Sequence, residues 1–109
     1  MQKIYQLRTG DILICRPDSL PFIQHFGVVV HEGRETYVYH IVPDRDVCRD
    51  TAKEFLATRK LLEIRQTSAT RRHILNRYRQ VAGRKYNVLD FNCVHFAEYL
   101  TAYITSQRF

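Results

Sequence analysis

Cys93 sits in the stretch Phe-Asn-Cys-Val-His-Phe, residues 91–96, behind an asparagine and two positions before a histidine. Three chemistries are open to such a residue: inert packing, metal ligation together with His95, or attack as a thiolate nucleophile. Helical phase bears on the second. If a helix starts near Asn92, a turn of about 100° per residue puts Cys93 on one stripe with Phe96, Ala97, Leu100 and Ile104. His95 then projects from nearly the opposite side. The two cannot share an ion from one regular helix, Cys-x-His is not a zinc spacing, and the sequence offers no second Cys/His pair at a usable distance. Neither a metal nor a cofactor is expected.

Asn92 is a good N-cap, so Cys93 falls in the first helical turn, where free N–H groups and the macrodipole favour a thiolate. It is therefore expected to be the most reactive of the three cysteines. A nucleophilic cysteine also needs a histidine base, and that base needs an orienting partner. Two β-branched, aromatic stretches, "FIQHFGVVVH" and "ETYVYHIV", flank "EGR" and read as a β-hairpin. With Glu32-Gly33 as a two-residue turn, paired positions sum to 65 and His25 faces His40 directly. Any other odd sum leaves the two histidines diagonal neighbours on the same face. An inward cysteine opposite them makes a possible Cys-His-His set, with ordinary packing of the thiol as the alternative.

The remaining elements must hold these residues in place. "TGDILICR" reads as a turn and a strand, "RPDSLP" as a proline-marked loop, "DTAKEFLAT" as a short helical turn and "KLLEIRQ" as a further strand. From Ser68 the period changes: Ile74, Leu75, Tyr78, Val81 and Ala82 mark one face of a helix, capped by Ser68 or Thr70 and ending at Gly83. The last helix should run from Asn92 towards Ile104. The expected fold class is α+β, a small antiparallel sheet packed with two C-terminal helices, within one domain over residues 1–109. His31 reads as structural or solvent-facing, His73 as an outer-face residue and Cys15 as a core thiol. Cys48 reads as an incidental cysteine in a charged loop, "DRDVCRD". The acidic residues show no paired-carboxylate arrangement.

Composition narrows the setting. "MQKIYQLRTGD" has no apolar segment of the signal-peptide kind, and no apolar run approaches the roughly 20 residues of a membrane span. Three cysteines are too few and too odd for a disulfide scaffold, which suggests a cytosolic chain. The net charge is +6, and seven of the 17 basic residues crowd into positions 65–85. Such a face suits a solvated helix first, and then anionic membrane or, less so, nucleic acid.

Taken together, "HFGVVVHEG…YVYHIVP", "NCVHFAEYL", the opening "TGDIL" and the helix "RRHILNRYRQVAG" resemble the lecithin:retinol acyltransferase-like family of the NlpC/P60 superfamily. The likeness runs over nearly the whole chain. It implies a circularly permuted papain-like domain, in which the histidines precede the cysteine. It also implies Cys93 as nucleophile, His25 as general base and His40 as the residue that orients the base. His95 matches a motif histidine that is not the base. Two positions depart from the family pattern: Val94 stands where a glutamate is usual, and Ile23 where a tyrosine is often found. Gln24 is the substitute oxyanion donor that this leaves. No hydrophobic C-terminal tail resembles the one that anchors vertebrate members. The implied activity is a thiol acyltransferase or hydrolase acting on acyl lipid, of the phospholipase kind, with no cofactor and with peripheral contact to anionic membrane. The alternatives are an NlpC/P60-type peptidase or amidase, and a non-catalytic RNA- or membrane-binding module using the basic 65–85 cluster.

Overall fold

The computed structural model describes residues 6–20 and 22–101. Five strands form one antiparallel sheet: β1 (Ile12–Pro17), β2 (His25–Glu32), β3 (Glu35–Val42), β4 (Asp46–Thr51) and β5 (Arg59–Arg65), in the spatial order β4-β3-β2-β1-β5. Helix α1 (Ala52–Ala57) links β4 to β5, and α2 (Arg71–Val81) and α3 (Cys93–Thr101) follow. The chain is thus a small α+β domain with an antiparallel sheet and helices. Among the described residues no helix is long and apolar enough to cross a membrane.

Both faces of the sheet are covered, and the period-two alternation of the strands decides which side chain goes where. Ile12, Ile14, Phe26, Val28, Val30, Tyr39 and Ile41 pack against Ile74 and Val81 of α2 and Phe96, Ala97 and Leu100 of α3. Their neighbours Leu13, Cys15, Val29 and Val38 turn the other way, onto Ala52 and Phe55 of α1. Burial on two sides explains why β2 reads as an unbroken apolar run. The apolar stripe expected for α3 is buried at Phe96, Ala97 and Leu100, and its extension to Ile104 lies outside the described residues. In α2, Thr70 rather than Ser68 is the N-cap, its Oγ1 accepting from His73 N at 3.1 Å.

β4 is the element that the sequence did not announce. "DVCRDT" was expected as a charged loop, because an edge strand can be polar on both faces and so shows no apolar alternation. Asp46 starts it with φ 58°, a left-handed conformation that Asp tolerates. Its carboxylate accepts from Tyr86 N at 2.8 Å, tying the strand to the segment before α3.

Gly27 sets how closely α1 approaches. A Cβ there would meet Val38 Cγ1 at 2.4 Å and Phe55 Cζ at 2.9 Å. Only a bare backbone lets the Phe55 ring settle on the sheet, where it stacks on His25 and meets His40 edge-on. Gly27→Ala is therefore expected to cost on the order of 1–3 kcal/mol of stability through overpacking. Chemical denaturation checks this, and an unchanged midpoint would show that Phe55 moves away freely.

Candidate active site

The hairpin register differs from expectation. Val28 pairs with Tyr39 and Glu32 with Glu35, so positions sum to 67 and the turn is Gly33-Arg34. Gly33 has φ 63° and takes the first central position, which a type II′ turn reserves for glycine. His25 and His40 are consequently diagonal neighbours instead of directly opposed. The even shift keeps them on one face, and their rings meet: His25 Nε2 lies 2.9 Å from His40 Nδ1.

The contact continues across β4. His40 Nε2 lies 2.8 Å from Asp50 Oδ2, and the Arg45 guanidinium grips the same carboxylate with two bonds, 3.1 Å to Oδ1 and 2.8 Å to Oδ2. Arg45, Asp50, His40 and His25 thus form one line of hydrogen bonds from the sheet edge to the start of β2. Arg45 and His40 hold the Asp50 carboxyl down at about 2, so it is an anion that only accepts. Burial is the main force on both histidines. It lowers His25 to about 3, with His40 and the Arg59 cation acting the same way. It lowers His40 to about 4, against the opposing pull of Asp50.

Neutral rings with an anionic terminus leave one proton arrangement. Asp50 accepts, so His40 carries its proton on Nε2, and His40 Nδ1 is left as an acceptor. His25 must then donate from Nε2, which puts its free lone pair on Nδ1. That atom is bonded to Cγ, on the main-chain side of the ring.

Cys93 comes from the other side of the sheet. It packs with the cluster under α2 and α3, whereas the His25 and His40 rings lie on the α1 face against Phe55. The expected meeting of thiol and histidines on one face is therefore not what the structure shows. Cys93 Sγ lies 3.8 Å from the carbonyl oxygen of Gln24, the residue before His25. The backbone N–H groups of Phe26, Cys93 and Val94 favour its thiolate, but burial is larger and raises the thiol above its ordinary value. The helix N-terminus therefore works as expected in sign and is outweighed in size. No hydrogen bond links Cys93 to His25 or His40 among the described residues, so the resting thiol and imidazole are separate and neutral. The Gln24 side chain is exposed, and it is the Gln24 main chain that borders the sulfur.

Other titratable residues sort clearly. Asn92 caps α3, its Oδ1 accepting from Val94 N at 2.9 Å and His95 N at 3.2 Å. His95 Nδ1 returns the favour by accepting from Asn92 N at 3.1 Å, in the manner of a capping box. His31 is pinned by Leu7 O and Thr36 Oγ1. Cys15 is fully buried, and burial drives its thiol to about 12. Cys48 stands 3.6 Å from His40 Nε2, beside the hydrogen-bonded line. Asp50 and Arg45 were missed because nothing in "DRDVCRD" marks a strand. Their signal was present only as Asp50 and Cys48 at strand spacing opposite a histidine.

No known family model, curated protein or solved structure matches the chain.

Proposed function

We propose that this chain is a thiol-dependent acyltransferase or hydrolase of the lecithin:retinol acyltransferase-like kind, folded as a circularly permuted papain-like domain. Cys93 is its nucleophile, His25 its base, and His40 and Asp50 are positioning residues. The observation that carries this reading is the line Arg45–Asp50–His40–His25. It fixes the free lone pair of His25 on Nδ1, one residue along the chain from the Gln24 carbonyl that Cys93 Sγ touches. The ring has to swing round the start of β2 from the α1 face to meet the thiol.

In the reaction His25 Nδ1 takes the Cys93 proton as sulfur bonds to the carbonyl carbon of the acyl donor. The resulting imidazolium returns the proton to the leaving alcohol as the ester C–O bond breaks, leaving a thioester on Cys93. Water or an alcohol or amine acceptor then attacks the thioester, its proton passing through His25, and the thiol is regenerated. Between donors the imidazolium is disfavoured by burial. The ion pair is accordingly a state of the reaction and not of the resting protein.

Acyl lipid is the substrate class best supported. Leu20, Phe22 and Ile23 are exposed just before His25, and Val88 and Leu89 just before Cys93. Phe22 is 99% exposed and Leu89 80%. Asn92 Nδ2 donates to Val88 O at 3.0 Å, which ties the second apolar segment to the start of α3. Large apolar side chains on both approaches to the thiol suit acyl chains better than a polar peptide. The outer face of α2, with Arg71, Arg72 and Arg79 exposed, supplies positive charge for anionic headgroups. Two other cations of the basic cluster are engaged, Arg77 on Tyr99 and Arg84 over Phe91, which weakens the case for an RNA surface.

A panel of acyl esters, thioesters and peptides, followed by intact and peptide mass spectrometry, tests the reading. The expected result is an acyl adduct on Cys93 from lipid esters, absent in Cys93→Ser. Peptide cleavage without an acyl-lipid adduct would move the protein to the peptidase class, and an adduct on Cys48 would refute the assignment.

A further inference from the structure

Cys48 has no part in the reaction above, yet it sits against the residue that orients the base. His40 and Cys48 are direct partners across β3 and β4, and Asp50 follows Cys48 by two residues on the same side of the strand. His40 Nε2, Cys48 Sγ and a carboxylate oxygen of Asp50 all lie within 4.8 Å of one another. We propose that these three side chains form a zinc site that switches the thiol chemistry off.

The geometry suits zinc. With Zn–S near 2.3 Å and Zn–N near 2.0 Å, a tetrahedral angle separates sulfur and nitrogen by about 3.5 Å. The His40 Nε2 to Cys48 Sγ distance is 3.6 Å. Asp50 Oδ2, now 2.8 Å from His40 Nε2, needs to back away by about half an ångström to become the third ligand. Arg45 can keep its hold on Oδ1 meanwhile. Thiolate with imidazole selects zinc over magnesium or calcium. Cys48 and Asp50 are only half-buried, which leaves a fourth position for water.

Binding rewrites the proton arrangement. Cys48 releases its thiol proton to solvent as sulfur bonds to zinc. Zinc on His40 Nε2 displaces that proton to Nδ1, which now donates to His25 Nε2. His25 must in turn carry its own proton on Nδ1, the atom needed as the base. The number of protons on the two rings is unchanged, and the free lone pair on His25 Nδ1 is gone. This regulatory half rests on His25 being the base, whereas the binding half does not.

Cobalt(II) titration of the whole reduced protein tests the site through the near-ultraviolet thiolate-to-cobalt absorption band. A saturable band, displaced by zinc, is expected. It should persist in Cys93→Ser, vanish in Cys48→Ser, and require roughly 10- to 100-fold more cobalt in Asp50→Asn. No saturable band, or a band lost in Cys93→Ser and kept in Cys48→Ser, would overturn the site. Zinc should also slow acylation of Cys93 at least tenfold in the wild type and leave Cys48→Ser unaffected. Zinc-insensitive acylation alongside an intact cobalt band would overturn the switch. Failure of Cys93 to acylate in metal-free protein, with the band intact, would count against the catalytic reading and leave the metal site standing.

Discussion

Replacing His25 by alanine should lower acylation of Cys93 by roughly 10²- to 10⁴-fold, the usual worth of a general base. Replacing His95 should leave it nearly unchanged. The contrast is sharp because the two histidines relate to Cys93 differently: His25 follows the residue whose carbonyl Cys93 Sγ touches, and His95 lies two positions along α3. His25 heads the strand whose flanking carbonyl meets the thiol at 3.8 Å. His95 spends its Nδ1 on the N-cap of α3. His95→Ala therefore acts on the helix end, costing roughly 0.5–2 kcal/mol as capping losses do. The pH dependence adds a second mark. A base works when unprotonated, and burial holds His25 at about 3 instead of 6.5. The acid limb of the rate–pH profile should thus fall well below pH 6.5. Single-turnover acylation and thermal unfolding of the two variants settle the matter. A rate loss in His95→Ala equal to that in His25→Ala would mean that the helix start, not the hairpin, supplies the base.

The elements that carry these residues were largely legible before any coordinates, and the reasons are physical. The stripe through Phe96, Ala97 and Leu100 fixes the phase of α3, so Cys93 has to face the sheet and His95 has to face away. The histidine pair survived a wrong register because strand alternation has period two. Moving the turn from Glu32-Gly33 to Gly33-Arg34 shifts the pairing sum by two and preserves the face of every side chain. What fixed the turn was the φ 63° of Gly33 at the first central position, a choice between turn types that "EGR" does not disclose. The third partner was hidden for a different reason. An edge strand buried on neither face has no apolar alternation, so "DVCRDT" carries no strand signal. Asp50 acquires a role only through cross-strand pairing with β3. The balance of forces on Cys93 was hidden too, since the sequence shows a helix N-terminus but not the desolvation that outweighs it.

Asp50 is also where the second large effect is expected. Asp50→Asn keeps the size of the side chain and removes the only anion in the line. The amide can turn its NH2 towards His40 Nε2, which an ionised carboxylate never does. His40 then accepts at Nε2 and donates from Nδ1, and His25 is driven to hold its proton on Nδ1. Acylation of Cys93 should fall roughly 10²- to 10⁴-fold, although neither reacting atom has been touched. Loss of a structural ion pair would lower the unfolding midpoint without this signature, so the decisive readout is the histidine tautomer. In ¹⁵N spectra the protonated nitrogen of His25 should change from Nε2 to Nδ1 in Asp50→Asn, and Asp50→Glu should restore at least part of the rate. An unchanged His25 tautomer with unchanged acylation would reduce Asp50 to a partner for Arg45 alone. The double variant gives the last discrimination. If Asp50 acts only through His25, adding Asp50→Asn to His25→Ala should slow acylation no further, because a relay without its base has nothing left to orient.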